Sequence, residues 1–187
     1  MNVDKIIKIL ENGTEIEKIE TLQKLNDISE DIILQKIISR LDDDSIHVRG
    51  EAFCTLILNK NNILENLLGN LISQSKNVRA FTCLVLANRN EKKSINEISK
   101  LSNDPSARVR SAVLGALRFL KATETKNIFL EKINDVDDEV KISALQGIID
   151  FQIPISGNIK KQIFDEKNPM IKKMILKVEK AGGPEGI

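Results

Sequence analysis

The side chains of this chain that could do chemistry are few, and most of them are carboxylates. Asp42-Asp43-Asp44 and the group Asp135, Asp137 and Asp138 place several acids within a few residues, as a divalent-cation site requires. A calcium loop of the EF-hand kind alternates its ligands and bends at a glycine, and neither cluster does so. Lying between apolar segments, both clusters are read as turn and helix-capping residues. His47 is the one histidine; in an acidic turn beside Val48 it is expected on the surface with no ligand role. Cys54 and Cys83 belong to no CxxC, and both are expected to be buried, reduced and inert. No nucleophile, base and orienting acid come together, so the expectation is a chain that is not an enzyme and carries no metal and no cofactor.

The cations are more orderly. Five times a branched aliphatic residue is followed at once by a basic one: Val48-Arg49, Val78-Arg79, Val109-Arg110, Val140-Lys141 and Ile171-Lys172, separated by 30, 31, 31 and 31 residues. Taken alone they look like a row of functional cations. The elements that must hold them say otherwise. A period of that length means stacked supersecondary units, and the columns below each pair define the unit. Four positions on stand Ala52, Thr82, Val113, Ala144 and Ile175. One further are Phe53, Cys83, Leu114, Leu145 and Leu176, and at eight are Leu56, Leu86, Leu117, Ile148 and, breaking the column, Glu179. Offsets of 0, 4, 5 and 8 trace one face of an α-helix and no strand of period two.

A second helix follows in each unit. Ile33, Leu34, Ile37, Ile38 and Leu41 recur 30 residues later as Ile63, Leu64, Leu67, Leu68 and Leu71. Ile95, Ile98 and Leu101 continue the series, then Ile128, Leu130 and Ile133, then Ile159, Ile163 and Phe164. Asn61-Asn62, Asn90, Thr123 and Gly157-Asn158 fall between the two helices, where turns and caps favour such residues. Polar turns join one hairpin to the next, among them Asp42-Asp43-Asp44-Ser45 and Asn103-Asp104-Pro105-Ser106, and Pro105 and Pro169 suit a first helical turn. The carboxylates five or six residues before each pair are expected to hold its basic member, because a cation near a helix start opposes the macrodipole. Ser73 stands where other units carry an acid, so that rung should be weaker.

The turn aspartates Asp43, Asp104 and Asp135, the Val-Arg and Val-Lys pairs and the Ala and Leu columns after them resemble HEAT repeats, in particular the short class also found in phycobilin lyases. The resemblance covers roughly residues 14 to 180 and implies an all-α fold, an alpha-alpha superhelix or HEAT-like solenoid of about five hairpins with a 31-residue period. The organisation expected is an N-terminal capping helix over 1–12, a repeat domain over 13–180 and a flexible tail over 181–187. The first unit is degenerate, with Glu17-Lys18 at the place of the pair. The iron-dependent deoxyhypusine hydroxylases of HEAT-like fold need several His-Glu pairs, which one histidine cannot supply. HEAT-like DNA glycosylases depend on Trp and on a strongly basic surface, and this chain has no Trp or Tyr and a formal net charge of +1. Neither nucleic acid nor membrane is therefore indicated as a partner. No apolar run approaches the ~20 residues of a membrane span, no signal-peptide layout is seen, and the expected compartment is the cytoplasm.

In HEAT-like proteins the second-helix row usually lines the concave face and holds another protein. The resemblance thus implies a non-enzymatic scaffold or adaptor for a protein partner, with an accessory or maturation subunit of a lyase-like enzyme as the alternative and nucleic-acid binding as a weaker third. The exposed edge of that row is read as Lys36, Arg40, Glu65, Asn66, Asn70, Glu97, Lys100, Asn127, Glu131, Lys160 and Lys161.

Overall fold

The structure, a computed structural model, describes residues 2–154 and 168–181. Every regular element among them is helical. In chain order these are α1 (Val3–Asn12), α2 (Glu15–Leu22), α3 (Asp31–Ser39), α4 (Ile46–Leu58), α5 (Leu64–Asn70), α6 (Lys76–Asn88), α7 (Ile95–Lys100), α8 (Ala107–Phe119), α9 (Lys126–Lys132), α10 (Asp138–Asp150) and α11 (Pro169–Ala181). The last of the expected second helices, with Ile159, Ile163 and Phe164, lies outside the described residues, as do Gly157-Asn158, Lys160 and Lys161 and all but the first residue of the expected tail.

The helices α4, α6, α8, α10 and α11 each run for 13 residues and start two residues before an aliphatic-basic pair. All but α8, whose Ser106 makes no side-chain cap bond, start on a repeated cap. Ser45 and Ser75 accept the backbone N–H groups two and three residues on, and Asp137 and Asn168 do the same, satisfying donors that a helix start leaves open. In the degenerate first unit Thr14 and Glu17 form a reciprocal capping box. Pro169 occupies the first turn of α11 as expected, whereas Pro105 sits one residue ahead of the Ser106 cap, outside α8.

Three of these helices end alike. Asn90, Lys121 and Gln152, spaced by the repeat, have φ of 56°, 55° and 51°. After each, the next N–H reaches back five residues: Glu91 to Leu86, Ala122 to Leu117 and Ile153 to Ile148. This is the Schellman arrangement, which reverses the chain and returns the last carbonyls their partners.

The chain forms two compact units, residues 1–98 and 99–187, divided within α7. In the first, α2 packs on α4 and α4 on α6, while α3 packs on α5, and α1 lies against α2 and α3. First helices thus stack on first helices and second on second, as a repeat array demands. Val48, Ala52 and Leu56 are buried, and so are Ile33, Leu34, Ile37, Ile38 and Leu41. In the second unit α8, α10 and α11 pack in series, and α9 lies on α10. The columns at 0, 4 and 8 are buried wherever they are described.

The fifth offset behaves differently. Cys83, Leu114 and Leu145 are buried, but Phe53 is half-buried and Leu176 is exposed, because this offset lies at the margin of the apolar stripe. In α9 and at its C-cap the expected core residues Ile128, Leu130 and Ile133 are only half-buried. Phe129 takes their place: it is fully buried, lies on Gly147 of α10 and meets the Phe151 ring edge to face at 5.3 Å.

Candidate partner-binding surface

The turn between hairpins is built from one pattern. The side chain at its first position accepts the N–H two residues later: Asp43 from Ser45 at 3.1 Å, Asp104 from Ser106 at 2.9 Å, Asp135 from Asp137 at 3.0 Å and Ser73 from Ser75 at 3.3 Å. The arginine six residues on then donates Nη1 to two main-chain carbonyls of that turn. Arg49 bonds Asp43 O and Asp44 O, Arg79 bonds Ser73 O and Gln74 O, and Arg110 bonds Asp104 O and Pro105 O. The expected local carboxylate rung is thus corrected. Within a turn these arginines clasp backbone oxygens, which a guanidinium reaches with its fork of donors.

The carboxylate of the turn is claimed instead by the cation of the preceding repeat, 25 residues earlier. Arg110 holds Asp135 through two hydrogen bonds. In the degenerate first unit Lys18 donates to Asp43 at 2.9 Å, so the Glu17-Lys18 pair makes the same bond to the next turn that Arg110 makes. With Ser73 at the acid's place, Arg49 has no carboxylate partner among the described residues. Hydrogen bonds from Arg110 hold the Asp135 carboxyl below its ordinary value against the opposing effect of burial. Burial pushes Asp43 up, but hydrogen bonds from Lys18 and the Ser45 N–H, with the charges of Lys18 and Arg40, bring it below its ordinary value.

The second-helix row carries the residues expected to meet a partner, and most of them are already engaged within the chain. Lys36 donates to Glu11 of α1. Arg40 points inward, Nη1 donating to Leu10 O at 2.9 Å and to Asp43 at 3.1 Å. Asn66 donates to Asp31, and Asn70 to Gln35 and to Asn66 O. Glu65 and Asn127 are exposed, Lys100 is exposed, and Glu97 is half-buried. Glu131 is exposed and pairs with Lys132, whose ammonium also reaches Asn103 and is almost fully buried. Exposed neighbours on the same face of the first unit, Ile32, Gln35 and Gly69, escaped the sequence reading. Their helical offsets from the buried Ile33, Leu34 and Leu67 were the available signal.

The chemistry-bearing residues are dispersed. No group of three or more His, Cys, Asp or Glu among the described residues is arranged to hold a metal. His47 is exposed. Cys83 is buried, but Cys54 is exposed, against expectation: two residues beyond Ala52 it has turned out of the packed stripe. No described helix is long and apolar enough to cross a membrane.

The family model for HEAT repeats matches residues 63–149, from the end of the second hairpin turn through α10. Over these residues the chain is similar to HEAT repeats. Among solved structures of similar fold is a computationally designed armadillo repeat protein for modular peptide recognition, 15% identical, with a TM-score of 0.61 over 97% of this chain and 100% of that one. A second designed armadillo protein, solved with a (KR)4 peptide, is 16% identical with a TM-score of 0.60 over 98% of this chain and 100% of that one. The CpcE–CpcF complex of phycocyanin lyase from Nostoc is also 16% identical, with a TM-score of 0.56 over 94% of this chain and 75% of that one. At such identities the likeness is one of fold. A comparison with curated proteins returns no match.

Proposed function

We propose that the chain is a non-catalytic interaction scaffold that binds a protein segment along the second helices of its first unit. The observation that carries this reading is the pair of amide bridges between α3 and α5. Asn66 Nδ2 donates to Asp31 at 3.0 Å and Asn70 Nδ2 to Gln35 at 3.0 Å. Each bridge spends one half of an amide and leaves the other half available: the Asn66 and Asn70 oxygens as acceptors, the Gln35 NH2 as a donor. These groups are held in place before any partner arrives, so little side-chain freedom is lost on binding. Ile32, exposed beside them, adds an apolar anchor, and Gly69 leaves room for close approach. In this reading α1 caps the array, with Glu11 tying it to Lys36. That designed armadillo proteins of similar fold bind peptides supports the reading by analogy of architecture.

Affinity capture from native cells with the wild-type chain and with the double substitution Gln35→Ala, Glu65→Arg tests it. The expected result is a partner protein recovered in stoichiometric amount with the wild type and lost with the variant, at unchanged thermal stability. Equal recovery by both would place the partner elsewhere, and no recovery with either would remove the scaffold reading.

A further inference from the structure

A second feature of the first unit is independent of the helix faces. The turns formed by residues 59–63 and 89–94 enclose a cleft of about 560 Å³ lined by Lys60, Lys92, Lys93, Arg89, Glu91 and Leu64. Arg89 and Glu91 neutralise each other, Nε to Oε1 at 3.4 Å. The rest of the Arg89 guanidinium is used to fix the frame, donating to Leu56 O at 3.0 Å, Asn59 O at 2.5 Å and Asn61 O at 2.9 Å. Asn59 in turn donates to Ile28 O of the preceding hairpin at 2.8 Å, and Asn90 is locked in the left-handed region. On this fixed frame stand Lys60, Lys92 and Lys93, all exposed and none in an ion pair with any described residue. In a chain whose charges almost cancel, 28 basic against 27 acidic, three unpaired ammonium groups on one cleft are a local excess with no internal use.

We infer that this cleft binds an acidic segment of a partner protein, its carboxylates meeting Lys60, Lys92 and Lys93 and an apolar side chain meeting Leu64. Charge complementarity selects the sign of the occupant. The cleft's own chemistry favours a peptide over a nucleic acid. It presents three cations where duplex binders commonly neutralise about six to ten phosphates, and no aromatic side chain lines it on which a base could stack. Because the cations flank a rigid turn, the ordering cost falls on the lysine side chains and on the peptide.

The experiment is fluorescence anisotropy of the full chain with a labelled hexaglutamate peptide at about 50 mM salt, where exposed charges are weakly screened. Saturable binding is expected, with none for a neutral Ser-Gly peptide of the same length. The triple reversal Lys60→Glu, Lys92→Glu, Lys93→Glu should weaken it about tenfold or more. Reversing the exposed Lys172, Lys173 and Lys177 of α11 imposes the same change of net charge and should leave the affinity within about twofold. All six lysines are exposed, and thermal unfolding checks that both triple variants fold. Absence of saturable binding, equal loss in the two triple variants, or tighter binding of a single-stranded oligonucleotide of matched charge would each overturn the assignment.

Discussion

Arg110 grips Asp135 of the following turn with two parallel hydrogen bonds, Nε to Oδ2 at 2.8 Å and Nη2 to Oδ1 at 2.6 Å, while its Nη1 stays on Asp104 O and Pro105 O. One side chain therefore ties its own turn and the next, and both members of the ion pair are largely buried, with side chains 11% and 6% exposed. A bidentate, sheltered pair of this kind stabilises more than a solvated one. Arg49 offers a built-in control, since it clasps its own turn identically but has Ser73 where the next carboxylate would be. Arg110→Ala is expected to lower the free energy of unfolding by about 2 kcal/mol, and Arg49→Ala by about half that. Urea denaturation of the two variants gives both values, and equal losses would mean that the inter-repeat bond adds nothing.

The same pair makes stability depend on pH in a defined direction. Arg110's hydrogen bonds hold the Asp135 carboxyl below its ordinary value, and those of Lys18 and Ser45 do so for Asp43 against burial. A carboxylate depressed in the folded state contributes stability that is fully present above its unfolded pKa of about 3.9 and is lost as the pH falls through the folded value. Unfolding midpoints measured from pH 7 down to pH 2 should therefore be level to about pH 5 and fall below it. Asp135→Asn should start lower at pH 7 and lose part of that slope. A variant with the full acid slope would show that Asp135 is not among the groups responsible.

How much of this was legible in sequence follows from what a period reports. Offsets of 0, 4 and 8 from Val48, Val78, Val109 and Val140 identify the buried stripe because a helix of 3.6 residues per turn leaves those positions no other side to face. At the stripe's margin the sequence is silent, so Phe53, Cys54 and Leu176 were placed deeper than they lie. Spacing also cannot tell a carboxylate from the carbonyl of the same residue, which is why Arg49 was matched to the wrong oxygen of Asp43. On the candidate surface the exposed face of α5 could be read, but not that Asn66 and Asn70 are bonded to Asp31 and Gln35, 35 residues earlier. Bonds between stacked helices depend on their register, and register is set by packing.

The three left-handed residues invite a second test on the backbone. Asn tolerates that region, whereas Lys121 and Gln152 carry longer side chains into it at φ of 55° and 51°. Lys121→Gly and Gln152→Gly should each raise stability by about 0.5–1 kcal/mol, the released strain outweighing the greater freedom of glycine in the unfolded chain. Asn90→Gly should gain less. Chemical denaturation decides, and a destabilised Lys121→Gly would indicate that its side chain makes contacts worth more than the strain.

Gly147 reverses the sign expected of a helical glycine. In an exposed helix interior, replacing Gly by Ala stabilises by up to about 1 kcal/mol, and Gly69 and Gly50, with nothing within 4 Å of an added Cβ, should behave so. A Cβ on Gly147 would stand 2.1 Å from Cδ1 of Phe129, a ring that is fully buried and wedged against Phe151. With no room to withdraw, the ring must push α9 away from α10, at a cost of about 1–3 kcal/mol that exceeds the propensity gain. Gly147→Ala should therefore destabilise while Gly69→Ala stabilises. Adding Phe129→Leu to both the wild type and Gly147→Ala measures the coupling directly: a slimmer side chain should remove most of the penalty of the alanine, so the double substitution costs less than the sum of the two. Strict additivity would show that Gly147 is conserving something other than space for Phe129.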